Sequence, residues 1–245
     1  MNFDNKTIRL LHERKSVRVF EKKDIPADIK RSILDAACQA ATAGNQQLYT
    51  ILDITDQHIK DELVKTCDNQ PFIASASMVL IFVADCKKWY DAYNDTNCDP
   101  RDNGLGDLLL AVSDANIAAA NAVVAASSYG IGSCFIGDVM ENCERQRELL
   151  HLPEYTFPAA MLVFGYPTVQ QIERKKPDRC PLDTIVSENR YPDMDKEYRR
   201  KMFENKIGEL DYDVWMKKFC DRKFNSDFSK EMSRSVTEYL KQYKL

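Results

Sequence analysis

Hydrophobic and polar residues alternate with helical spacing in several parts of the chain and form unbroken apolar runs in others. Helical spacing, start signals and stop signals predict helices over residues 3–13, 56–67, 108–130 and 141–150, and one that begins at 24–28 and ends at Ala43-Gly44-Asn45. Apolar runs predict strands over residues 49–54, 78–84, 133–136 and 160–165. Residues 86–106 are polar, aromatic and turn-rich, and are typical of either a surface insertion or a lid.

The longest predicted helix, residues 108–130, is the most apolar. No charged residue occurs from Ala115 to Gly137, a length that raises the possibility of a membrane span. The run consists mostly of Ala, Ser, Asn and Gly, and Asp107 and Asp114 lie at its start, which favours a buried core helix. Its small side chains allow close helix approach, as at a dimer interface.

Composition narrows the class of protein. Hydrophobic residues make up 44% of the 245 residues and charged residues 29%, as in soluble globular proteins. The net charge of −4 argues against a nucleic-acid-binding protein. The eight cysteines show no CxxC spacing and the three histidines lie far apart, so we predict reduced thiols and no metal site. The first ten residues lack an apolar signal region, so we expect a cytoplasmic protein.

The chain shows no repeat and no low-complexity linker. The segment 187–245 is highly charged and mainly helical in pattern. We therefore predict one domain, with its body in residues 1–190 and a helical C-terminal arm of the same domain in residues 191–245.

A basic segment, Arg14-Lys15-Ser16-Val17-Arg18, follows the first predicted helix. In an extended chain Arg14, Ser16 and Arg18 point to one side, where two guanidinium groups and a hydroxyl suit a phosphate. The same pattern is also typical of a solvated basic turn. A second basic cluster, residues 173–179, is a candidate to meet the first at one phosphate.

Two other segments suit a flat ligand. The loop Gly44-Asn45-Gln46-Gln47 carries amide donors and acceptors that match the edge of a heterocycle, although a plain turn has the same composition. Gly130, Gly132 and Gly137 do not fit the GxGxxG spacing, so we reject a Rossmann fold. They indicate instead a buried strand that ends in a glycine, where backbone can approach a ligand closely.

These segments, in their order and spacing, resemble the nitroreductase family of FMN-dependent oxidoreductases, above all the oxygen-insensitive NADPH-type nitroreductases and flavin reductases. The similarity covers essentially the whole chain. It is carried by 14–18, 132–137, Phe164-Gly165-Tyr166-Pro167, Lys176-Pro177-Asp178-Arg179-Cys180-Pro181 and residues 186–191.

The resemblance implies an α+β fold, a nitroreductase-like mixed β-sheet wrapped by helices in an intertwined homodimer with FMN at each interface. It also implies a set of cofactor-binding residues. Arg14, Lys15, Ser16 and Arg18 match the phosphate motif, and Lys176 and Arg179 match a second one, with Asp178 inserted before Arg179. The residues that match flavin-contacting positions are Asn45, Gln46, Gln70, Phe135, Ile136, Gly137 and Asp138.

The implied function is the transfer of two electrons from NAD(P)H to nitroaromatic, quinone or flavin acceptors in a ping-pong cycle. The hydride chemistry then takes place on the flavin, and no side chain serves as a catalytic acid, base or nucleophile. NADPH and NADH both remain candidates, because residues 208–215 are acidic where NADPH-type relatives carry arginines for the 2′-phosphate. The alternatives are other flavin chemistry on this fold, namely dehalogenation, enoyl reduction or flavin fragmentation, and a non-enzymatic flavin-binding regulator.

Overall fold

A four-stranded antiparallel sheet forms the centre of the protein. The computed structural model describes residues 5–244, so residues 3 and 4 of the first predicted helix lie outside the described part. The strands are β1 (Tyr49–Asp53), β2 (Met78–Asp85), β3 (Gly132–Ile136) and β4 (Thr156–Gly165). They pair in the order β1-β2-β4-β3, and every pair is antiparallel. The predicted mixed sheet has no parallel strand pair within the described residues: its one parallel contact is an isolated bridge between Ser16 and Ser133 of β3, and a second parallel bridge, between Gly104 and Lys244, lies outside the four strands.

The described chain divides into two compact units, residues 5–174 with 231–244, and residues 175–230. The helices of the first unit are α1 (Lys6–Glu13), α2 (Ala27–Cys38), α3 (Gln57–Thr66), α4 (Phe72–Ser75), α5 (Lys87–Asn94), α6 (Leu105–Ser128), α7 (Cys143–Leu150) and α8 (Val169–Glu173). The second unit contains α9 (Lys196–Ile207) and α10 (Tyr212–Lys223), while α11 (Asp227–Leu240) begins in the second unit and ends in the first. The division of the domain at residue 190 stays a prediction.

The two central strands are buried along their whole length, as their apolar sequences predict. Successive side chains of a strand point to opposite faces of the sheet. On β2, Leu80 and Phe82 join the core formed with α2 and α6, while Val79 and Ile81 join the core formed with α3. Both faces are therefore covered, which explains why β2 shows no polar alternation.

Helix α6 is the predicted long helix, and it is the main helix against the sheet. It is long and apolar enough to cross a membrane by length and composition, but its alanine face is buried against α2 and the sheet, as in a core helix. The opposite side of α6 exposes a stripe without charge that includes Leu109, Leu110 and Ile117. This apolar stripe is covered by no described residue of the chain.

The prediction that the second helix continues to Ala43-Gly44-Asn45 is wrong, because α2 ends at Cys38. The buried carboxylate of Asp114 on α6 accepts hydrogen bonds from Ala43 N at 3.0 Å, from Leu48 N at 3.1 Å and from the Thr42 hydroxyl. These bonds hold the chain in a separate 3₁₀ turn, in which Gly44 adopts a left-handed φ of +56°. The glycine therefore serves this turn and does not cap α2.

Residues 86–106 were predicted to form either a surface insertion or a lid. Part of this segment is helical. Helix α5 begins directly after β2, and Asp85 accepts hydrogen bonds from Lys87 N at 3.1 Å and Lys88 N at 3.2 Å. An acidic side chain that accepts the first free N–H groups of a helix is a typical N-terminal cap.

The eight cysteines are free thiols, as predicted.

The second unit is held by an aromatic cluster and surface ion pairs. The ring of Trp215 stacks on Phe219 with centroids 4.9 Å apart and lies 6.1 Å from Phe203 on α9. Lys201 pairs with Asp183 at 2.6 Å. These contacts join α10 and the segment near residue 183 to α9, in agreement with the helical pattern of this part of the sequence.

Candidate functional site

The basic segment Arg14–Arg18 runs along the edge strand β3. Val17 N donates to Ser133 O at 2.9 Å, and Ser16 forms the parallel bridge to Ser133. A Cβ on Gly132 would lie 2.6 Å from Val17 Cγ2 and 2.8 Å from Val17 Cβ, well inside van der Waals contact. The glycine at the start of β3 is therefore what allows the basic segment to approach the sheet this closely.

Both arginines of this segment lie over aromatic rings. The Arg14 guanidinium carbon is 5.9 Å from the centroid of Phe135, and that of Arg18 is 5.9 Å from the centroid of Phe72. Phe135 belongs to the end of β3 and is 40% exposed, unusual for a phenylalanine on a strand. The two contacts join the basic segment to the end of β3 and to the first residue of α4.

The loop before α4 is joined to the end of β3 by a hydrogen bond between two predicted site residues. Gln70 Nε2 donates to Asp138 Oδ2 at 2.8 Å and to Cys67 O at 2.9 Å. Both hydrogens of the amide are therefore used, so the acceptor oxygen of Gln70 remains for a ligand. After Phe135, Ile136 is buried, and the exposed Gly137 follows the last pair of the β3–β4 ladder.

Glu141 lies next to this hydrogen bond and is 4% exposed. Burial, followed by the nearby Asp138 carboxylate and then Asp68 and Glu231, raises the pKa of Glu141 to about 8. Its Oε1 is buried and has no hydrogen-bond partner among the described residues. Glu141 is consequently a neutral acid at pH 7, a feature that no pattern in the sequence indicated.

Arg174, at the start of the second basic cluster, forms hydrogen bonds with the first basic segment. Arg174 donates to Ser16 O, while Lys15 Nζ donates to Ile172 O at 2.6 Å and to Arg174 O. The buried Gln171 accepts from Arg18 N at 3.3 Å. The sequence placed Arg174 in a basic cluster but did not single it out, and Gln171 carried no signal. A cavity of about 510 Å³ lies against this region and is lined by Arg14, Lys15, Gly132 and Gln171 among others.

Asn45 and Gln46 lie elsewhere on the chain. Their turn is held at Asp114, whereas Arg14 lines a small pocket with Ser127, 13 residues further along α6. Val123 lines the same pocket, so at 1.5 Å per residue the parts of α6 that these two regions contact are about 14–20 Å apart along the helix axis. Gln46 is also engaged by α5, since its carbonyl accepts from Trp89 Nε1 at 2.8 Å and its Nε2 donates to Tyr93 Oη at 3.3 Å.

The structure thus gathers five of the predicted residues at the end of β3, Arg14, Arg18, Gln70, Phe135 and Asp138, with Ser16 on its edge. Asn45 and Gln46 form a second group, and Lys176 and Arg179 belong to the second unit. The roles of all these residues in ligand binding stay predictions.

Two of the loops have unusual backbone conformations. In the first, Asn45 and Gln47 have φ values of +57° and +49°, and in the second, Asp68 and Asn69 have +58° and +51°. Such left-handed conformations are uncommon outside glycine and cluster at ligand sites, where the surrounding structure holds them. One pair lies in the loop of Asn45 and Gln46 and the other directly precedes Gln70; single residues with positive φ also occur at Asn142, His151, Tyr155 and Asn189.

Comparison with known proteins identifies the family. The model of the nitroreductase family matches residues 11–166. An NADPH-dependent oxidoreductase from Staphylococcus aureus is 28% identical over 234 residues, which covers 94% of this chain and 89% of that protein.

Solved structures show the same fold. NfrA2 of B. megaterium superimposes with a TM-score of 0.81 at 25% identity and covers 98% of this chain and 100% of its own. The NADPH:FMN oxidoreductase of Vibrio harveyi, solved with NAD+, gives a TM-score of 0.79 at 24% identity, with 96% and 98% covered. Because the family model matches well over half of the chain, this protein is an oxidoreductase that belongs to the nitroreductase family.

Proposed function

We propose that this protein is an FMN-dependent oxidoreductase that transfers two electrons from NAD(P)H to small aromatic acceptors. The observation that carries the proposal is the meeting of three predicted cofactor-binding segments, residues 14–18, Gln70 and residues 135–138, at the end of β3. Arg14 over Phe135, Arg18 over Phe72 and Gln70 bonded to Asp138 join them into one surface. The V. harveyi neighbour is named an NADPH:FMN oxidoreductase and the S. aureus relative an NADPH-dependent oxidoreductase, which supports FMN and NADPH as the small molecules to test first.

The residues at this surface fit FMN. Arg14, Arg18 and the Ser16 hydroxyl supply charge-assisted donors for a dianionic phosphate. The exposed ring of Phe135 and the open backbone at Gly137 suit a flat ring system, since a Cβ built on Gly137 would have no neighbour closer than 3.7 Å. The oxygen of Gln70 is an acceptor for a ring N–H group.

When bound, FMN supplies the two-electron chemistry, and the side chains hold it and balance its charge. The backbone N–H groups of Gly137 and Asp138 lie beyond the last pair of the β3–β4 ladder and are candidates to stabilise negative charge on the ring. The nucleotide and the acceptor occupy the same open face in turn, which gives ping-pong kinetics. Nitroaromatics, quinones and free flavins are flat and electron-poor, and therefore suit this face.

The proposed active form is a cytoplasmic homodimer. In one chain the Asn45–Gln46 turn and the Arg14–Arg18 segment contact parts of α6 that are about 14–20 Å apart along its axis, so we expect the two not to contact the same ring. The uncharged stripe on α6 that exposes Leu109, Leu110 and Ile117 suits an interface. We expect a two-fold dimer built on this stripe to bring the turn of one subunit to the basic segment of its partner.

The first test is the visible spectrum of the purified protein, followed by anaerobic addition of NADH and of NADPH. Flavin bands that are bleached by either nucleotide and restored by menadione or a nitrofuran support the proposal, and the faster nucleotide identifies the donor. A flavin spectrum that neither nucleotide bleaches contradicts the reductase activity but not FMN binding. Protein that stays colourless after incubation with FMN contradicts both.

A further inference from the structure

The buried acid Glu141 lies directly behind the hydrogen bond between Gln70 and Asp138. Its main-chain N–H donates to Asp138 O at 3.0 Å and closes the 3₁₀ turn of residues 138–140. The side chains of Glu141 and Asp138 are also hydrogen-bonded to each other. Because Asp138 accepts from Gln70 Nε2 at 2.8 Å, the three side chains form one chain of polar contacts. This chain leads from the surface at the end of β3 into the interior.

The contact between Glu141 and Asp138 contains a proton. Two ionised carboxylates cannot bond to each other, because each of them only accepts. Asp138 already accepts from the Gln70 amide, so the proton belongs to Glu141. Burial, and then the Asp138 carboxylate, raise the pKa of Glu141, which agrees with this assignment. At pH 7 the Glu141 O–H therefore donates to Asp138.

The main chain on both sides of Glu141 is fixed by α11. Met140 O accepts from the Ser235 hydroxyl at 2.6 Å, and Asn142 N donates to Glu231 Oε1 at 3.1 Å. The side chain of Asn142 also donates to a carbonyl at the end of α3 at 2.9 Å. The carboxyl group of Glu141 is consequently held in place from outside its own turn.

The second oxygen of Glu141 makes no bond. Oε1 is buried and has no hydrogen-bond partner among residues 5–244. A buried polar atom without a partner lowers stability, and such atoms are few in folded proteins. A side chain that only filled this space would not need the carboxyl group, so the O–H that faces Asp138 is the part with a function.

The surroundings of Glu141 are acidic. The titratable groups that face it are Asp138, Cys67, Asp68 and Glu231. Burial raises the pKa of the Cys67 thiol to about 12, so this group stays neutral up to pH 9. Glu231 is paired with Arg234 at 2.8 Å, which balances its charge. Among these groups, Glu141 is the one that gains a charge between pH 7 and pH 9.

We propose that Glu141 is a positioning residue, whose O–H holds the Asp138 carboxylate in place so that the oxygen of Gln70 faces outward. Glu141 is too buried to contact a ligand itself. The inference rests on the proposed function, in which this oxygen accepts from a ring N–H group of FMN. When Glu141 loses its proton, the two carboxylates repel each other and Asp138 no longer fixes the amide. FMN binding should therefore weaken as the pH rises through 8.

Fluorescence titration of the flavin-free protein with FMN at pH 7 and at pH 9 tests this role. The phosphate of FMN is mostly dianionic at both values, so its own titration contributes little. We expect the affinity of the wild type to fall about threefold to tenfold, the worth of one hydrogen bond. Glu141→Gln keeps a donor next to Asp138 at either pH and should bind FMN equally well at both. Glu154→Gln, on an exposed glutamate, is the matched control and should retain the wild-type pH dependence.

Two further variants separate positioning from packing. Glu141→Leu fills the space without a donor, and it should bind FMN about threefold to tenfold more weakly than the wild type at pH 7, with no further change at pH 9. Gln70→Met removes the amide that Asp138 orients, so its FMN affinity should not depend on the pH in this range. Circular dichroism at both pH values verifies that each variant is folded.

The side-chain amide of Gln70 provides a readout that needs no FMN. Its NMR signals in the flavin-free protein can be assigned by their absence in Gln70→Met. They should shift with an apparent pKa of about 8 in the wild type and stay constant in Glu141→Gln.

A wild-type FMN affinity that is equal at pH 7 and pH 9, or a pH dependence that persists in Glu141→Gln, would overturn the role of Glu141 and leave FMN binding intact. Gln70 signals that do not titrate would overturn it as well. Protein that binds no FMN, but whose Gln70 signals titrate as expected, contradicts the flavin function and supports the positioning of Gln70 by Glu141. The two proposals can therefore fail separately.

Discussion

Asp138 determines which way the amide of Gln70 faces. It accepts one of the two Nε2 hydrogens at 2.8 Å, and Cys67 O accepts the other at 2.9 Å. An amide in this arrangement presents its oxygen outward, and the arrangement is imposed by the carboxylate because a carboxylate accepts only.

This relationship predicts the effect of Gln70→Glu. The substitution keeps the shape of the side chain but places a second carboxylate beside Asp138, so we expect FMN affinity to fall by about 1–3 kcal/mol, the cost of an unsatisfied or repelled polar group. Fluorescence titration of the flavin-free protein with FMN measures it. Gln70→Met, which removes the bond without adding charge, should have the smaller effect, and equal losses would show that the contact with Asp138 does not orient the amide.

Arg18→Ala tests the phosphate assignment. Loss of a charge-assisted donor should weaken FMN binding by about 1.5–3 kcal/mol. Arg31→Ala, on the exposed surface of α2, provides the matched control and should leave the affinity unchanged. Wild-type affinity in the Arg18 variant would remove this residue from the proposed site.

Gly132→Ala tests the close approach of the basic segment to β3. The new methyl group collides with Val17, so the free energy of unfolding should fall by about 1–3 kcal/mol, as in overpacked cores. Combination with Val17→Ala should recover part of the loss. Gly106→Ala, where a Cβ meets nothing within 4 Å, should cause no such loss. Chemical denaturation measures the free energy of unfolding of Gly132→Ala, Val17→Ala, the double variant and Gly106→Ala. If the effects of Gly132→Ala and Val17→Ala simply add in the double variant, the predicted collision is ruled out.

Glu141 predicts a pH dependence of stability. Its pKa is raised to about 8 in the folded protein, so the folded state holds a proton that the unfolded state has released. Stability from this group is therefore complete below the ordinary carboxyl range and is lost as the pH rises towards 8. Glu141→Gln, which stays neutral, should raise the free energy of unfolding at pH 8.5 by about 2–4 kcal/mol and change it little at pH 4.5.

Denaturation at the two pH values measures the difference between Glu141→Gln and wild type. Glu154→Gln, on an exposed glutamate, should show no difference between them. A stabilisation by Glu141→Gln that is the same at both pH values would argue for a packing effect instead of titration.

Ile117→Lys tests the proposed dimer. A lysine in the middle of the exposed α6 stripe meets its own copy across a two-fold axis, and the buried unpaired charges should weaken the dimer by about 3–5 kcal/mol. Sedimentation over a range of concentrations should then detect monomer. Thr237→Lys, on an exposed position of α11, should sediment like wild type.

Much of the fold could be predicted because the sequence records burial. The apolar run of β2 and the alanine face of α6 identify the central elements without reference to any partner. The end of α2 could not be predicted, because it depends on Asp114, which lies 76 positions after Cys38. The Asp114 carboxylate accepts hydrogen bonds from Ala43 N and Leu48 N and so holds the chain in a separate turn. Helix α5 was not predicted, because a half-exposed helix that consists of tyrosines and charged residues has a sequence similar to that of a polar loop.

The site was predictable where motifs are local and not where contacts are distant. Residues 14–18 and 135–138 could be found as patterns, and the structure brings them together. The contact of Arg174 with Ser16, and the neutral state of Glu141, depend on packing between segments far apart in sequence. No local pattern carries that information.

The return of α11 to the first unit has a consequence for how the chain is made. Tyr239 is fully buried and packs edge-to-face on Phe157, with ring centroids 5.1 Å apart. The two residues are 82 positions apart, so at the usual speed of translation roughly 4–16 s separate the synthesis of the strand from that of its covering ring. During that interval the ring of Phe157 is not covered by Tyr239. A nascent chain that stalls before α11 is made therefore exposes this part of the core to chaperones and proteases.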